Sequence, residues 1–224
     1  MAGEVFAGDR SVKKAGEFWS EDTVLTLTPR RRFVSRGGYK LEGALADLKV
    51  DPTGLDALDI GASTGGFTDC LLVSGATRVT AVDVGRNLLD LRLRDDPRVT
   101  VIDGVNAREL AAHLPGSPEF DLAVIDVSFI SLALILPQAA RLIKPGGRIL
   151  AMVKPQFEVG REKVGKKGVV RNPADIAEAV DKVSALAPAL APPFQEAGRA
   201  YSRLTGPQGN QEVFVLFEPL TADR

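Results

Sequence analysis

The chain has 224 residues, of which 45% are hydrophobic and 25% are charged, and its formal net charge is −1. This composition predicts a globular protein with one large domain and room for a small appendage. A charge so near zero excludes a global field that draws the chain to nucleic acid or membrane, so any such attraction requires local patches. One histidine and one cysteine leave no zinc site, Ser–His–Asp set or internal disulfide.

The sequence contains no targeting or spanning signal. Its first residues lack the basic region and the apolar stretch that begin a signal peptide. No run of about 18 apolar residues occurs, so we expect no membrane span. These features predict a cytoplasmic protein.

The first 48 residues change character at a run of three arginines. Residues 1–29 predict a pair of short strands around a turn, a piece too small to hold a core alone. After the arginines and a further turn, apolar residues repeat at helical spacing over Tyr39–Leu48. Lys40 falls at the start of this helix, where a cation opposes the helix dipole. This unfavourable position hints at function, and an exposed, solvated lysine is the alternative.

A turn of small residues, Gly61–Gly66, follows the first apolar strand of the central region and precedes an apolar helix pattern. Strand, tight turn and helix open a nucleotide-binding βαβ unit. Glycine in such a turn lets a ligand approach the backbone without meeting a Cβ atom. The spacing differs from that of the dinucleotide motif GxGxxG, because Ser63 takes the place of the middle glycine.

Four strand-like runs in this region each end in an aspartate. Ligands bind at the carboxyl ends of the strands in an open parallel sheet, so we expect these four side chains to converge there. An acidic rim suits a ligand with hydroxyls, an amine and positive charge, and it repels several phosphates. The alternative is that each aspartate only caps the next helix. The four residues are Asp59, Asp83, Asp103 and Asp126.

Strands and helices alternate from residue 55 to 154, which predicts a parallel sheet covered by helices on both faces. A fifth strand covers 148–153, and Gly146-Gly147 closes the helix before it. The four helices are predicted near 66–74, 86–94, 106–113 and 129–143.

After a further helix that starts at Asn172-Pro173, strands near 194–203 and 211–218 form a closing hairpin. We therefore predict an α/β, Rossmann-like fold. Its seven-stranded, mostly parallel sheet with an antiparallel last strand is similar to that of S-adenosylmethionine-dependent methyltransferases.

The stretch 155–171 is predicted to be a long glycine-rich loop. From 154 to 171 there are six basic residues and two acidic ones. Long loops in compact domains are usually functional or disordered, and a basic loop at the ligand-bearing end of the sheet suits a phosphate backbone. A solvated linker is the alternative. The basic residues of the loop are Arg161, Lys163, Lys166, Lys167 and Arg171.

Five motifs, in order and correctly spaced from about 33 to 218, strongly resemble those of the TlyA family. These are hemolysin-like ribosomal RNA 2′-O-methyltransferases with an FtsJ-like catalytic domain. The motifs are Ser35-Arg36-Gly37-Gly38-Tyr39-Lys40-Leu41, Asp59-Ile60-Gly61-Ala62-Ser63-Thr64-Gly65-Gly66-Phe67-Thr68, Asp126-Val127-Ser128-Phe129-Ile130-Ser131-Leu132, Val153-Lys154-Pro155-Gln156-Phe157-Glu158-Val159-Gly160 and Gly209-Asn210-Gln211-Glu212.

The resemblance implies a catalytic tetrad of Lys40, Asp126, Lys154 and Glu212. In the implied mechanism Lys154 is the base that accepts the proton of a ribose 2′-hydroxyl, while Lys40 and Glu212 position the ribose. A lysine acts as a base only where burial or neighbouring cations lower its pKa. Spacing alone does not single out Glu212, which otherwise looks like an ordinary carboxylate at the start of a strand.

The resemblance also places the methyl donor, S-adenosylmethionine, on the glycine turn beside Asp126. Asp83 then fits the ribose hydroxyls of the donor, and Asp103 fits its adenine amine, with Asn106 nearby. The implied partner is ribosomal RNA or a ribosomal subunit, which the basic loop and Arg36 would contact together with the arginine run. The turn residues are Asp59, Gly61, Ser63, Thr64, Gly65, Gly66 and Phe67, and the arginine run is Arg30, Arg31 and Arg32.

The relatives begin with a small RNA-binding domain, the α-L motif, whose two leading helices carry basic residues. Only its strand half is expected here, at 1–29, followed by a methyltransferase domain at 30–220. Either the assigned start lies downstream of the true one or the helices have been lost. The alternative functions are a membrane-active hemolysin, a methyltransferase of a non-RNA substrate on the same fold, and an RNA-binding remnant without catalysis.

Overall fold

A computed structural model describes residues 5–8, 10–12, 14, 16–27, 32–114 and 120–220. The chain divides into two compact units, Met1–Arg32 and Phe33–Arg224. The division therefore falls three residues beyond the predicted boundary at 29/30.

The first unit contains three short antiparallel strands rather than the predicted pair. They are β1 (Val5–Ala7), β2 (Arg10–Ser11) and β3 (Leu25–Leu27), in the order β2-β1-β3. The guanidinium of Arg10 lies 5.2 Å from the ring centroid of Trp19, a cation–π contact.

The second unit is built on a seven-stranded sheet in the order β6-β5-β4-β7-β8-β10-β9. Strands β4 to β8 are parallel, and β10 inserts between β8 and β9, antiparallel to both. The predicted sheet, with its antiparallel last strand, is confirmed. The strands are β4 (Asp56–Ile60), β5 (Arg78–Asp83), β6 (Val99–Asp103), β7 (Phe120–Ile125), β8 (Ile143–Val153), β9 (Phe194–Tyr201) and β10 (Val213–Pro219).

Helices cover both faces of the sheet. The longest, α1 and α7, have 12 residues each, and no helix within the described part of the chain is long and apolar enough to cross a bilayer. The helices are α1 (Arg36–Asp47), α2 (Gly66–Val73), α3 (Leu91–Arg94), α4 (Leu110–His113), α5 (Leu136–Ala140), α6 (Pro155–Glu158) and α7 (Pro173–Ser184).

Several predicted boundaries were wrong. Helix α1 starts at Arg36, because the Ser35 side chain accepts a hydrogen bond from Gly37 N and caps it, so Lys40 lies in its second turn and not at its start. The helix predicted at 86–94 is only the one turn of α3, and the one predicted at 129–143 is reduced to a 3₁₀ turn and α5. Strand β8 begins at Ile143, with Gly146-Gly147 in an irregular part of its pairing with β7.

Alternate residues of the central strands feed two cores on opposite faces of the sheet. On β7, Leu122 and Val124 pack with α1 and α2, whereas Ala123 and Ile125 pack with α5 and α7. Phe214 of β10 is fully buried in the first of these cores, where its ring centroid lies 6.0 Å from that of Phe67. The last strand is therefore fastened to the helix that follows the glycine turn.

Replacing Phe214 with alanine should lower the free energy of unfolding by about 3–5 kcal/mol, because the change leaves a cavity in a close-packed core. Urea denaturation followed by circular dichroism measures this loss. Leu91→Ala is the control, since Leu91 is 72% exposed and its truncation should change stability by less than about 0.5 kcal/mol. Equal losses in the two variants would contradict the packing described.

Candidate active site

The four strand-end aspartates do not lie at one level. Asp83 and Asp103 are register partners at the ends of β5 and β6, and Asp126 directly follows β7. Asp59 pairs with Ala81 and Val124 inside the sheet and is fully buried. The expected rim is therefore formed by three carboxylates, and the fourth lies one layer beneath them.

Burial determines the chemistry of Asp59. Its Oδ2 accepts a hydrogen bond of 2.6 Å from Thr68 Oγ1, and its buried Oδ1 has no hydrogen-bond partner among the described residues. Burial, reinforced by the charges of Asp126 and Asp83, raises the pKa of Asp59 to about 7, while the Thr68 hydrogen bond opposes the shift. Near neutral pH this carboxyl is poised between its two protonation states.

Gly61 brings the glycine turn against the strand end of β7. Its φ is +88°, a conformation that favours glycine, and an added Cβ would lie 2.4 Å from the carbonyl oxygen of Asp126. The other small residues of the turn serve packing. A Cβ on Gly65 would meet Leu93 at 2.3 Å, and one on Gly66 would meet Ser35 Oγ at 2.2 Å.

A first cavity of about 490 Å³ opens beside this turn. Gly61, Ser63, Asp83, Asn106 and Asp126 contribute to its lining, together with apolar side chains. A volume in the range of small-ligand sites, mostly apolar walls and a few directed polar groups fit a nucleoside-bearing, positively charged ligand. The remaining apolar and neighbouring lining residues are Val82, Val84, Leu88, Val105, Ala107, Arg108, Val127, Ser128, Phe129 and Ile130.

Asp83 is held in one orientation at this cavity. Its Oδ2 accepts a hydrogen bond of 2.8 Å from Ser63 N, and its Oδ1 accepts one of 2.7 Å from Gly85 N. A carboxylate oxygen has lone pairs for more than one donor, so both oxygens can still accept from ligand hydroxyls. The expected role of Asp83 therefore stays a sound prediction.

Asp103 has other partners. Its Oδ2 accepts hydrogen bonds from Arg94 Nη2 at 2.8 Å and from Asn87 N at 3.0 Å, and the Arg94 contact lowers the pKa of Asp103. Within the described residues it is not part of the cavity lining. Asn106 does line the cavity, and its Oδ1 accepts from Arg108 N at 3.1 Å. Of the two, Asn106 is the better candidate for contact with an adenine amine.

The turn residues Thr64, Gly65, Gly66 and Phe67 do not line this cavity either, within the described part of the chain. Thr64 is exposed, and its carbonyl oxygen accepts a hydrogen bond from Asp90 N at 3.2 Å. Phe67 is buried against Phe214. These four residues shape the turn, so a direct ligand contact is expected from Gly61 and Ser63.

Lys40 and Glu212 form a buried ion pair. Lys40 is 8% exposed and Glu212 is 2% exposed, and Lys40 Nζ lies 2.5 Å from Glu212 Oε2. Removal of either partner leaves a buried charge uncompensated. The charge of Lys40 is thus met by a carboxylate 172 positions away in sequence, which local reasoning about the helix dipole could not detect.

Lys154 forms a second ion pair next to the first. Its Nζ lies 2.6 Å from Asp126 Oδ1 and donates a hydrogen bond of 2.8 Å to Ser128 Oγ. Val153 and Val213 are register partners on antiparallel strands, so Lys154, which follows Val153, and Glu212, which precedes Val213, lie at the same end of these two strands. The structure therefore brings the four expected tetrad residues together as two lysine–carboxylate pairs, Lys40–Glu212 and Lys154–Asp126.

A second cavity of about 360 Å³ is lined by Lys154 and Glu212 and shares Ser128 and Phe129 with the first. Phe129 is 89% exposed with a φ of +64°, and its ring centroid lies 5.2 Å from that of Phe157. An exposed aromatic ring beside a polar pocket suits the stacking of a planar base. From the sequence we assigned no function to either ring. The signal that could have pointed to them is that each ring lies in the same motif as a tetrad residue, Asp126 or Lys154.

The stretch 155–171, which was predicted to be a basic, glycine-rich loop and is called the basic segment from here on, forms part of this second cavity through Val164 and Gly168. It contains α6 and two 3₁₀ turns, Arg161–Lys163 and Lys166–Gly168, so the prediction of an irregular loop was incomplete. Asn210 attaches it to the end of β10: its Oδ1 accepts from Val170 N at 2.9 Å, and its Nδ2 donates to Gly168 O at 2.8 Å. The segment is thus fixed over the lysine pairs.

Most of the predicted RNA-binding cations are exposed, with one exception. Lys163 forms ion pairs with Glu178 and Asp175 of α7, so its charge is already neutralised and we withdraw it as a phosphate ligand. Arg36 is exposed and donates a hydrogen bond of 3.3 Å to Thr205 O. Arg30 and Arg31 lie outside the described residues. The exposed cations are Arg32, Arg36, Arg161, Lys166, Lys167 and Arg171.

Glu158 holds the loop that carries Asp126 and Ser128. It is buried, with Oε2 accepting from Ser131 Oγ at 2.7 Å and Oε1 accepting from Leu132 N at 2.8 Å. Burial raises the pKa of Glu158, and the two hydrogen bonds oppose that shift. The carboxylate thus supports the second ion pair from below.

A sheet of this order, with its last strand inserted antiparallel and an acid- and glycine-lined cavity at its strand ends, is that of the Rossmann-like S-adenosylmethionine-dependent methyltransferases, and the chain has this fold. The model of the family described as FtsJ-like methyltransferase matches residues 33–218. The chain belongs to that family.

Curated relatives confirm the resemblance to TlyA proteins. The chain is 43% identical over 222 residues to the 16S/23S rRNA (cytidine-2′-O)-methyltransferase TlyA of Mycobacterium tuberculosis, covering 98% of this chain and 82% of the relative. It is 46% identical over 218 residues to YqxC of Bacillus subtilis, named as a candidate rRNA methyltransferase, covering 96% and 76% of the two chains. A solved candidate hemolysin from Streptococcus thermophilus has a TM-score of 0.79 at 42% identity, covering 98% of this chain and 80% of that one.

Replacing Asp59 with asparagine should change how stability depends on pH. The raised pKa means that the folded protein binds one more proton than the unfolded chain between about pH 4 and pH 7, so Asp59 lowers stability as the pH rises through this window. The slope of unfolding free energy against pH should therefore be more positive in the variant by about 1.4 kcal/mol per pH unit. Urea titrations at half-unit pH steps measure it, and parallel curves for the two proteins would show that Asp59 is not protonated near neutrality.

Proposed function

We propose that this chain is an S-adenosylmethionine-dependent 2′-O-methyltransferase that modifies a cytidine of ribosomal RNA in the cytoplasm. The observation that carries the proposal is the pair of lysine–carboxylate contacts, Lys154–Asp126 and Lys40–Glu212, beside two cavities with a shared wall. Family membership and the substrates in the names of relatives support the choice of ribosomal RNA.

The first cavity is assigned to the methyl donor. Gly61, Ser63, Asp83 and Asn106 line it; the two turn residues would let the donor approach the backbone, Asp83 would accept hydrogen bonds from its ribose hydroxyls, and Asn106 would contact its adenine. S-adenosylmethionine supplies a methyl group on a positively charged sulfur. The carboxylates of Asp83 and Asp126 complement that charge, and the rest of the wall is mostly apolar.

The second cavity is assigned to the acceptor nucleotide. Lys154 Nζ, oriented by Asp126 and Ser128, would take the proton of the 2′-hydroxyl, and S-adenosylmethionine, when bound in the first cavity, would supply the methyl group to the 2′-oxygen. Glu212 lines this cavity and would hold the ribose, whereas Lys40, which lines neither cavity among the described residues, would act through its ion pair with Glu212. Positioning of this kind, together with proton transfer by a placed side chain, supplies most of the rate acceleration.

The exposed cations of the basic segment bind the phosphate backbone on either side of the acceptor. Phe129 offers a stacking surface between the two cavities. We further assign the three strands of the first unit to the strand half of an α-L RNA-binding domain, an assignment that rests on the family resemblance and on the order of these short strands.

The proposal is tested by mass-spectrometric mapping of 2′-O-methyl groups in ribosomal RNA from cells with and without the gene. One or more ribose methyls should be present only with the protein. Isolated subunits incubated with purified protein and donor should regain the same modification. Methylation confined to a base, a protein or a small molecule would overturn it.

Lys154→Ala should reduce methyl transfer to ribosomal RNA by roughly 10²–10⁴-fold, because the proton acceptor is removed. Donor affinity should stay near that of the unchanged protein, since Lys154 lies in the second cavity. Transfer of a radiolabelled methyl group and calorimetric donor binding measure the two effects. Lys144→Ala is the matched control, as that lysine pairs with Asp121 near the amino end of β8, and full activity of Lys154→Ala would remove the assignment.

Replacing Lys166, Lys167 and Arg171 together with glutamine should weaken RNA binding and reduce its salt dependence. Each phosphate contact contributes about 0.7 to the slope of log affinity against log salt for single strands, so the slope should fall in magnitude by about 2. Fluorescence anisotropy with a ribosomal RNA fragment over 50–300 mM salt, roughly the range in which this screening acts, measures it.

The control for that experiment makes the same change in net charge at the opposite end of the parallel strands, near their amino ends. Arg78, Arg98 and Lys144 pair there with Asp56, Asp96 and Asp121. Their replacement with glutamine should leave the salt slope unchanged. Equal effects of the two triple variants would show that the basic segment is no specific RNA contact.

A further inference from the structure

Gln156 has an amide oxygen without a partner among the residues that the structure describes. It lies in the short helix α6, two residues after Lys154, and lines the second cavity. Its Oε1 is buried and has no hydrogen-bond partner within the described part of the chain. Buried polar atoms are nearly always paired, so an unpaired one calls for a physical reason.

The other amides at this cavity serve as a comparison. Asn210 is buried, and both ends of its amide are taken up by the backbone of Val170 and Gly168. Gln208 is exposed, so water satisfies it. Gln156 as a whole is only half-buried, but its amide oxygen is buried without a partner among the described residues, which is the property of a ligand-binding amide.

Its surroundings indicate the ligand. The neighbouring Phe157 packs against Phe129, whose exposed ring forms part of the cavity wall. Lys154 and Glu212, at the same cavity, offer charged groups suited to the ribose hydroxyls. A planar base placed between the aromatic wall and the amide can form hydrogen bonds with the amide. That base belongs to the same nucleotide whose ribose contacts Lys154.

We propose that Gln156 reads the base of the acceptor nucleotide and selects one that carries an exocyclic amino group. The buried Oε1 accepts a hydrogen bond from that amine, and the amide nitrogen can donate to the adjacent ring nitrogen. Cytosine presents this donor–acceptor edge, whereas uracil presents an oxo group that repels Oε1. This inference rests on the proposed function, and it makes Gln156 a specificity-determining residue rather than a catalytic one.

The test uses a ribosomal RNA fragment that contains the mapped acceptor, prepared with either cytidine or uridine at that position. The unchanged protein should favour cytidine at least about tenfold in kcat/KM. Gln156→Met, which keeps the length and loses the hydrogen bonds, should bring the two values within about twofold of each other. Gln156→Glu, which keeps an acceptor oxygen, should retain the cytidine preference. Gln138→Met, on α5 outside both cavities, is the matched control and should behave like the unchanged protein.

The outcomes distinguish a failure of this inference from a failure of the proposed function. If Gln156→Met keeps the cytidine preference at its original size, the proposed role of Gln156 is overturned. An equal fall in kcat/KM on both RNAs also overturns it, because such a fall indicates that Gln156 only stabilises the fold. Donor binding by calorimetry verifies that each variant is folded. No transfer to either RNA by the unchanged protein, despite donor binding, overturns the proposed function itself and the inference with it.

Discussion

The buried ion pair between Lys40 and Glu212 is the constraint around which the second unit is assembled. It joins the second turn of α1 to the start of β10, two elements that are distant in sequence. Because an uncompensated buried charge is strongly unfavourable, α1 can dock only where β10 has inserted between β8 and β9. The same insertion places Glu212 beside Lys154, so the stability of the sheet and the assembly of the site share one cause.

Around that pair, most polar groups at the strand ends make contacts with more than one part of the structure. Asp126 orients Lys154 and raises the pKa of Asp59 beneath it, while its backbone packs on Gly61. Asn210 and Glu158 hold the two ends of the basic segment to β10 and to the loop after β7. Ion pairs and hydrogen bonds of this kind fix side chains in one geometry, which is what a reaction governed by positioning requires.

The strands of the central region and the residues at which most of them end were predictable from the sequence, because short apolar runs and small-residue turns are local signals. The depth of Asp59 was not, since the register of β4 with β5 and β7 decides which aspartate reaches the rim. The partners of Lys40 and Lys163 lie on other elements, so local reasoning could not detect either set of ion pairs. Family resemblance identified the four tetrad residues, whereas the unpaired amide of Gln156 could be seen only once its surroundings were known.

The insertion of β10 determines when the sheet can be completed during synthesis of the chain. Strand β10 is synthesised after β8 and β9, yet it lies between them. A nascent chain shorter than 212 residues therefore has a bare gap in its sheet and a lysine on α1 with no counter-ion. Such a chain also lacks one of the four tetrad residues, so the proposed site is complete only after the last strand has been made.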